Sequence, residues 1–282
     1  MGQKLSVTFD SNVLQRVLRP DEEFMVGAPF IADQRIVHEA LANGLIEGFV
    51  AKTFFTKEAI SKKVREDIFR LNYGRYNNIQ SSFHRTGSPY ISTMVSYNKV
   101  NEQENFTTFS RHLSKREILH LMRKFNVRIL HTFLLGDIST KPRNVEGDFR
   151  TDDIQPSDYY KSDKSDAYIS VQNDKCFRFI QEKLGAGVLS VDWIDSKDGK
   201  RTPDQANHDL RFKNPSAEES DIQAISTHYA HEIDIFCTED KGKGAGELSV
   251  MRPENKGELE KCFGIRFCTL HELADLIRQQ EV

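Results

Sequence analysis

The sequence predicts one α/β domain built on a buried parallel sheet, and three observations predict it. Short β-branched and aromatic runs end on carboxylates: Leu5-Ser-Val-Thr-Phe-Asp10 near the start and Ile233-Asp-Ile-Phe-Cys-Thr238-Glu-Asp240 near the end. Such runs read as buried parallel strands whose C-terminal ends carry a polar site. Strand-like runs also alternate with helix-like ones, the pattern of βαβ units. Finally, 282 residues with 38% hydrophobic and 29% charged side chains make an ordinary globular composition, long enough for one large domain.

Each element can be justified in order. After the first strand, a helix is expected over 11–19, with Ser11 or Asn12 as its cap. Helical spacing of Ile31, Ile36, Val37, Ala40 and Leu41 predicts a helix over 31–43, stopped by Asn43-Gly44. The apolar run 45–55 predicts a second buried strand, and Thr56-Lys-Glu58 opens another helix. From 70 to 110 turn residues cluster around one expected strand at 90–95. A helix over 114–124 then leads directly into a strand over 127–135. The polar stretch 136–166 reads as a long surface loop, followed by a helix over 173–184. A helix beginning near Ser220-Asp221 precedes the strand at 233–238. A glycine-rich loop (Gly242-Lys-Gly-Ala-Gly246), a short strand at 265–268 and a closing helix from Thr269 complete the chain.

Charge is unevenly distributed. Residues 1–150 hold 22 Lys and Arg against 16 Asp and Glu, while 151–282 hold 17 against 26. No run approaches the roughly 18 apolar residues of a membrane span. The N-terminus enters a strand with no signal-peptide core; Met1-Gly2 formally opens a myristoylation-like start, but no second membrane signal accompanies it. None of the four cysteines forms a CxxC pair, and a reduced, cytoplasmic protein is the expectation. His228 and His231 have no matching Cys/His pair for zinc. No P-loop, GxSxG or strand-linked GxGxxG is present, so nucleoside-triphosphate, acyl and dinucleotide chemistries have no support.

The acids carry the chemistry. Asp10 and Asp240 end strands, Glu58 follows one, and Asp221 stands at an expected helix start. Singly, each can be a helix cap or a dipole-complementing residue. Together at one sheet edge, four carboxylates would raise one another's pKa values unless cations held them. A pair of Mg²⁺ or Mn²⁺ ions is the natural occupant and suits phosphodiester hydrolysis. Glu39 is the rival for the second acid, although it sits within a helix.

In this order the residues resemble the PIN domain family. The resemblance rests on strand-Asp10-Ser-Asn12-Val-Leu14, the helix closed by Asn43-Gly44 with its following strand, and Thr56-Lys-Glu58. It continues through Ser220-Asp221-Ile-Gln-Ala-Ile, Thr238-Glu-Asp240, and Phe263-Gly-Ile-Arg-Phe-Cys-Thr-Leu-His-Glu-Leu273. It covers about 1–62 and 114–282; the chain is longer than the compact family pattern, with insertions at about 63–113 and 136–170. The resemblance implies a Rossmann-like three-layer parallel sheet with helices on both faces. It also implies a Mg²⁺- or Mn²⁺-dependent ribonuclease using Asp10, Glu58, Asp221 and Asp240 as metal ligands and catalytic acids. Thr238 matches a hydroxyl position near the metals, and Asn12 a residue that steadies the first Asp. RNA-processing nucleases and the toxins of toxin–antitoxin pairs belong to the family, so RNA is the expected partner, with an inhibitor protein and a homo-oligomer as further possibilities.

Two basic features fit an RNA substrate. Residues 60–130 hold 13 Lys and Arg against 5 Asp and Glu, interleaved with aromatics from Phe69 to Phe109. Basic grooves with stacking platforms hold single strands; a small aromatic satellite core is the structural alternative. Lys241 and Lys243 flank a glycine beside Asp240, where they can meet a phosphate or simply form a turn. A catalytically silent PIN-like binding module is the rival function. A haloacid-dehalogenase-type phosphatase is the weaker rival, because it needs a second Asp where this chain has Asn12.

Overall fold

The computed structural model describes residues 4–20, 31–56, 114–131, 153–186, 215–243 and 249–280. Five strands lie in one parallel sheet: β1 (Leu5–Phe9), β2 (Ile46–Ala51), β3 (Arg128–Leu130), β4 (Ile235–Cys237) and β5 (Arg266–Cys268). Their order is β3-β2-β1-β4-β5. The chain therefore steps outward from β1 through β2 to β3, then returns to the other side of β1 for β4 and β5. Strand order reverses between β1 and β4, and in doubly wound sheets ligands bind above the carboxyl ends at that point.

Helices cover both faces of the sheet. Successive strand residues point to opposite sides, so Val7, Phe9, Ile235 and Cys237 face one core while Phe236 faces the other. The first core takes in α1 (Ser11–Leu18), α2 (Ile31–Ala42), α4 (Lys115–Lys124) and α8 (Leu270–Gln280). The second is closed by α5 (Asp166–Glu182), α6 (Pro215–Ala230) and α7 (Pro253–Phe263). Gly48 shows how closely α2 sits: a Cβ there would stand 2.9 Å from Leu41 and 3.0 Å from Val127. Any side chain at 48 would force the Leu41 and Val127 methyls to repack.

Several expected boundaries move. β2 ends at Ala51, and Thr53–Thr56 coil into a short helix, α3, where a continuing strand was expected. α1 is capped by Asp10, which accepts from the Ser11 backbone at 2.6 Å; Ser11 and Asn12 are already helical. α5 begins at Asp166 under a Ser165 cap, two turns before the expected start. Residues 153–165, expected as surface loop, dock on the edge of the sheet: Tyr159 bridges Ile129 in parallel, and Tyr160 donates to the Ile129 carbonyl. Asp158, in a 3₁₀ turn at Pro156–Asp158, is buried and held by Arg123 at 2.8 and 2.7 Å. α7 is absent from the sequence-level expectation. The expected strand at 90–95, the whole insertion at 63–113 and residues 136–152 of the second insertion lie outside the described residues, as does 57–62.

A polar seam runs through the second core. His228 Nδ1 lies 2.9 Å from the Thr8 hydroxyl, and Asn173 donates to Ser226 and Thr227 at 3.3 Å. Full burial holds the His228 pKa down at about 3, with the neighbouring His231 adding to the effect, so the folded ring is neutral. Unfolded, the ring titrates near 6.5. Between those values the unfolded chain binds a proton that the folded chain does not, so stability is whole above about pH 6.5 and falls towards pH 3. Chemical denaturation should therefore show His228→Gln losing about 2 kcal/mol less than the unsubstituted chain between pH 7 and pH 5. Parallel pH profiles would contradict a buried neutral ring.

Candidate functional site at the strand switch point

β1 and β4 are neighbours in register, with Phe9 opposite Cys237. Their ends therefore bring Asp10 and Thr238 side by side from opposite ends of the sequence. The Thr238 hydroxyl donates to Asp10 Oδ2 at 2.6 Å, and Asn12 Nδ2 donates to the same oxygen at 2.8 Å. Asp10 is 7% exposed, so these donors offset the cost of removing a carboxylate from water. The Thr238 hydroxyl in turn accepts from the Asp240 backbone at 3.0 Å, and Asn12 Oδ1 accepts from the Glu239 backbone at 3.2 Å. One network thus joins both strand ends, in the crevice expected of this strand order.

Asp240 folds back on its own loop. Its Oδ1 accepts from the Gly242 backbone at 2.7 Å, an Asx-type turn. Gly242 has φ +70°, and a Cβ there would stand 2.7 Å from the Arg252 backbone nitrogen, so this position requires glycine. Lys241 and Lys243 on either side are exposed.

Asp221 does not open a helix. α6 starts six residues earlier, at Pro215, so Asp221 lies in its second turn and needs another account than the helix dipole. α6 begins beside the crevice: buried Glu218 accepts from the Val250 backbone at 3.1 Å. Burial raises the Glu218 pKa, and the nearby Asp240 charge adds to that rise.

Glu39, the rival for the second acid, stands away from Asp10. It lies in the last turn of α2, which leads through Gly44 into the first residue of β2, the opposite edge of the sheet from Asp10. Glu58 lies outside the described residues, two beyond α3, which follows the C-terminal end of β2. The acid that α2 does bring in, Asp33, is buried and bound to His271 at 2.8 Å and Arg278 at 2.7 Å, a structural pairing with α8.

Sequence reasoning missed Lys256. It sits in the first turns of α7, and its ammonium donates to the Asp240 carbonyl at 2.6 Å. Burial lowers its pKa, while the charges of Asp240, Asp10, Glu239 and Asp221 all pull it upward. Those four carboxylates therefore share one electrostatic neighbourhood with a lysine at its edge. Pro253 and Glu254 at a helix start were the available signal for α7; nothing in the sequence assigned its fourth residue to Asp240.

The donors around the crevice are carboxylate and hydroxyl oxygens, the chemistry that suits Mg²⁺ or Mn²⁺. Among the described residues, no group of three or more His, Cys, Asp or Glu side chains is placed to hold a metal ion. No helix among them is long and apolar enough to cross a membrane. No protein-family model, curated protein or solved structure matches the chain.

The Thr238 hydroxyl is the joint of this network, bonded to both Asp10 and the Asp240 backbone. Thr238→Val keeps the shape and removes both bonds, so it should cost about 1–3 kcal/mol in thermal or urea unfolding, with Thr238→Ser close to the original. A Val variant as stable as the original chain would show that the joint carries no strain-bearing role.

Proposed function

We propose that this chain is a PIN-like, divalent-metal-dependent endoribonuclease that hydrolyses RNA phosphodiester bonds in the switch-point crevice. The reading is carried by Asp10 and Asp240, which stand on neighbouring strand ends and are joined through Thr238. An oxygen-rich crevice at that point in a parallel sheet suits a hard cation and a phosphate.

Asp10, Asp221, Asp240 and Glu58 would hold the metal. When bound, the metal supplies an activated water and charge stabilisation of the phosphate. The chain's own residues do the positioning. Asn12 and Thr238 hold the Asp10 carboxylate in one orientation, and the Gly242 turn aims Asp240. Lys241 and Lys243, exposed beside it, are suited to the RNA backbone. RNA as substrate is further supported by the basic, aromatic composition of 60–130.

A catalytically silent module that binds RNA or a protein partner is the second reading. Lys256 favours it, because an ammonium is already bonded to the Asp240 main chain within the field of the acids.

Labelled total RNA incubated with Mn²⁺, with EDTA, and with the Asp240→Asn variant separates the two. The nuclease reading expects cutting with Mn²⁺ alone, at least 100-fold lost with EDTA or with the variant. Salt-sensitive RNA binding without any cutting would overturn it in favour of the silent module.

A further inference from the structure

We propose that the Lys256 ammonium is a resident counter-cation of the acidic crevice, competing with a divalent ion for the field of Asp10, Asp221 and Asp240. The inference deepens the metal-site reading above and rests on it.

Three observations converge on Lys256. Its Nζ reaches the Asp240 main chain at 2.6 Å, on the loop that follows β4. The start of α7 is fixed there independently: Val250 is buried and bonded to Glu218, and Asn255 donates to the Ser249 carbonyl at 2.8 Å. The ammonium also lies over the Phe267 ring, with Nζ 5.6 Å from its centroid. The ammonium is therefore held at the crevice by its helix, the Asp240 carbonyl and the Phe267 ring, and is not a surface lysine swinging through solvent.

A tether to one carbonyl needs only a donor. The ammonium also lies within the pull of the Asp240, Asp10, Glu239 and Asp221 charges; a fixed positive charge there does more, because it stabilises the metal-free crevice and opposes entry of a second cation. The sign of the effect separates the two roles. If Lys256 is only a tether, removing it loosens the Asp240 loop and weakens metal binding. If it is a counter-cation, removing its charge strengthens metal binding.

The test is calorimetric titration of the full chain with Mn²⁺ alone, together with melting curves with and without Mn²⁺, for the original chain, Lys256→Gln and Lys256→Arg. Gln keeps a donor and removes the charge. The proposal expects K256Q to bind Mn²⁺ roughly three- to tenfold tighter, from a unit charge several Å from a divalent ion. It also expects a lower melting temperature without metal, a larger rise with it, and K256R close to the original. A K256Q chain that melts cooperatively only with Mn²⁺ present supports the proposal equally. Unchanged or weaker Mn²⁺ binding by K256Q, or failure to fold even with Mn²⁺, overturns it while leaving the nuclease reading in place. Absence of Mn²⁺ binding by both chains overturns the proposal and the metal-site reading together.

Discussion

The structure turns on a buried carboxylate that must be satisfied. Asp10 lies at the end of β1 with almost no exposure, and a charge in that position is tolerated only when donors surround it. Its donors are the first amide of α1, Asn12 on that helix, and Thr238 after a strand 228 residues away in sequence. One requirement thus couples a helix cap, a strand pairing and a loop. It also places polar residues directly after β1 and β4, the strands that flank the switch point, where Asp10 and Thr238 meet.

The same requirement shapes what surrounds Asp10. Thr238 passes the constraint to Asp240, Gly242 lets Asp240 turn back on its loop, and Arg252 crowds Gly242 so closely that only glycine fits. α7 then follows, carrying Lys256 to the Asp240 carbonyl. A negative crevice that would repel itself is thereby framed by oriented donors and one ammonium. Asp33 and Asp158 solve the same problem differently: each is buried beside an arginine and is spent on holding elements together. Asp33 and Asp158 have arginine partners, whereas Asp10 and Asp240 at the strand ends are held by hydroxyl and amide donors.

Much of the fold was legible because the buried strands are short apolar runs that stop at polar residues, a pattern that needs no tertiary information. The pairing of Asp10 with the region of Thr238 and Asp240 followed from the same rule. What escaped depended on tertiary placement. α7 has only Leu259 fully buried, and Gly257 lies within it, so its apolar periodicity is weak. α6 was started late, although Pro215 with Glu218 in the first turn is a helix-start signal. The stretch before α5 looked like a loop because its polar residues are satisfied by distant partners such as Arg123, which periodicity cannot show. Lys256 was invisible for the same reason, since its neighbours come from four separate segments. The direction of α2, which places Glu39 at the far edge of the sheet, was likewise not legible from spacing.

On the proposed function, a divalent ion meets this chain in the crevice above β1 and β4. Paramagnetic broadening of amide signals by substoichiometric Mn²⁺ reads the ion's position directly, without RNA and without turnover. Broadening should centre on Ser11, Asn12, Glu239 and Asp240 and spare Ser6 and Asp234 at the opposite ends of the same strands. Broadening centred elsewhere, or none at millimolar Mn²⁺, would contradict that placement of the ion.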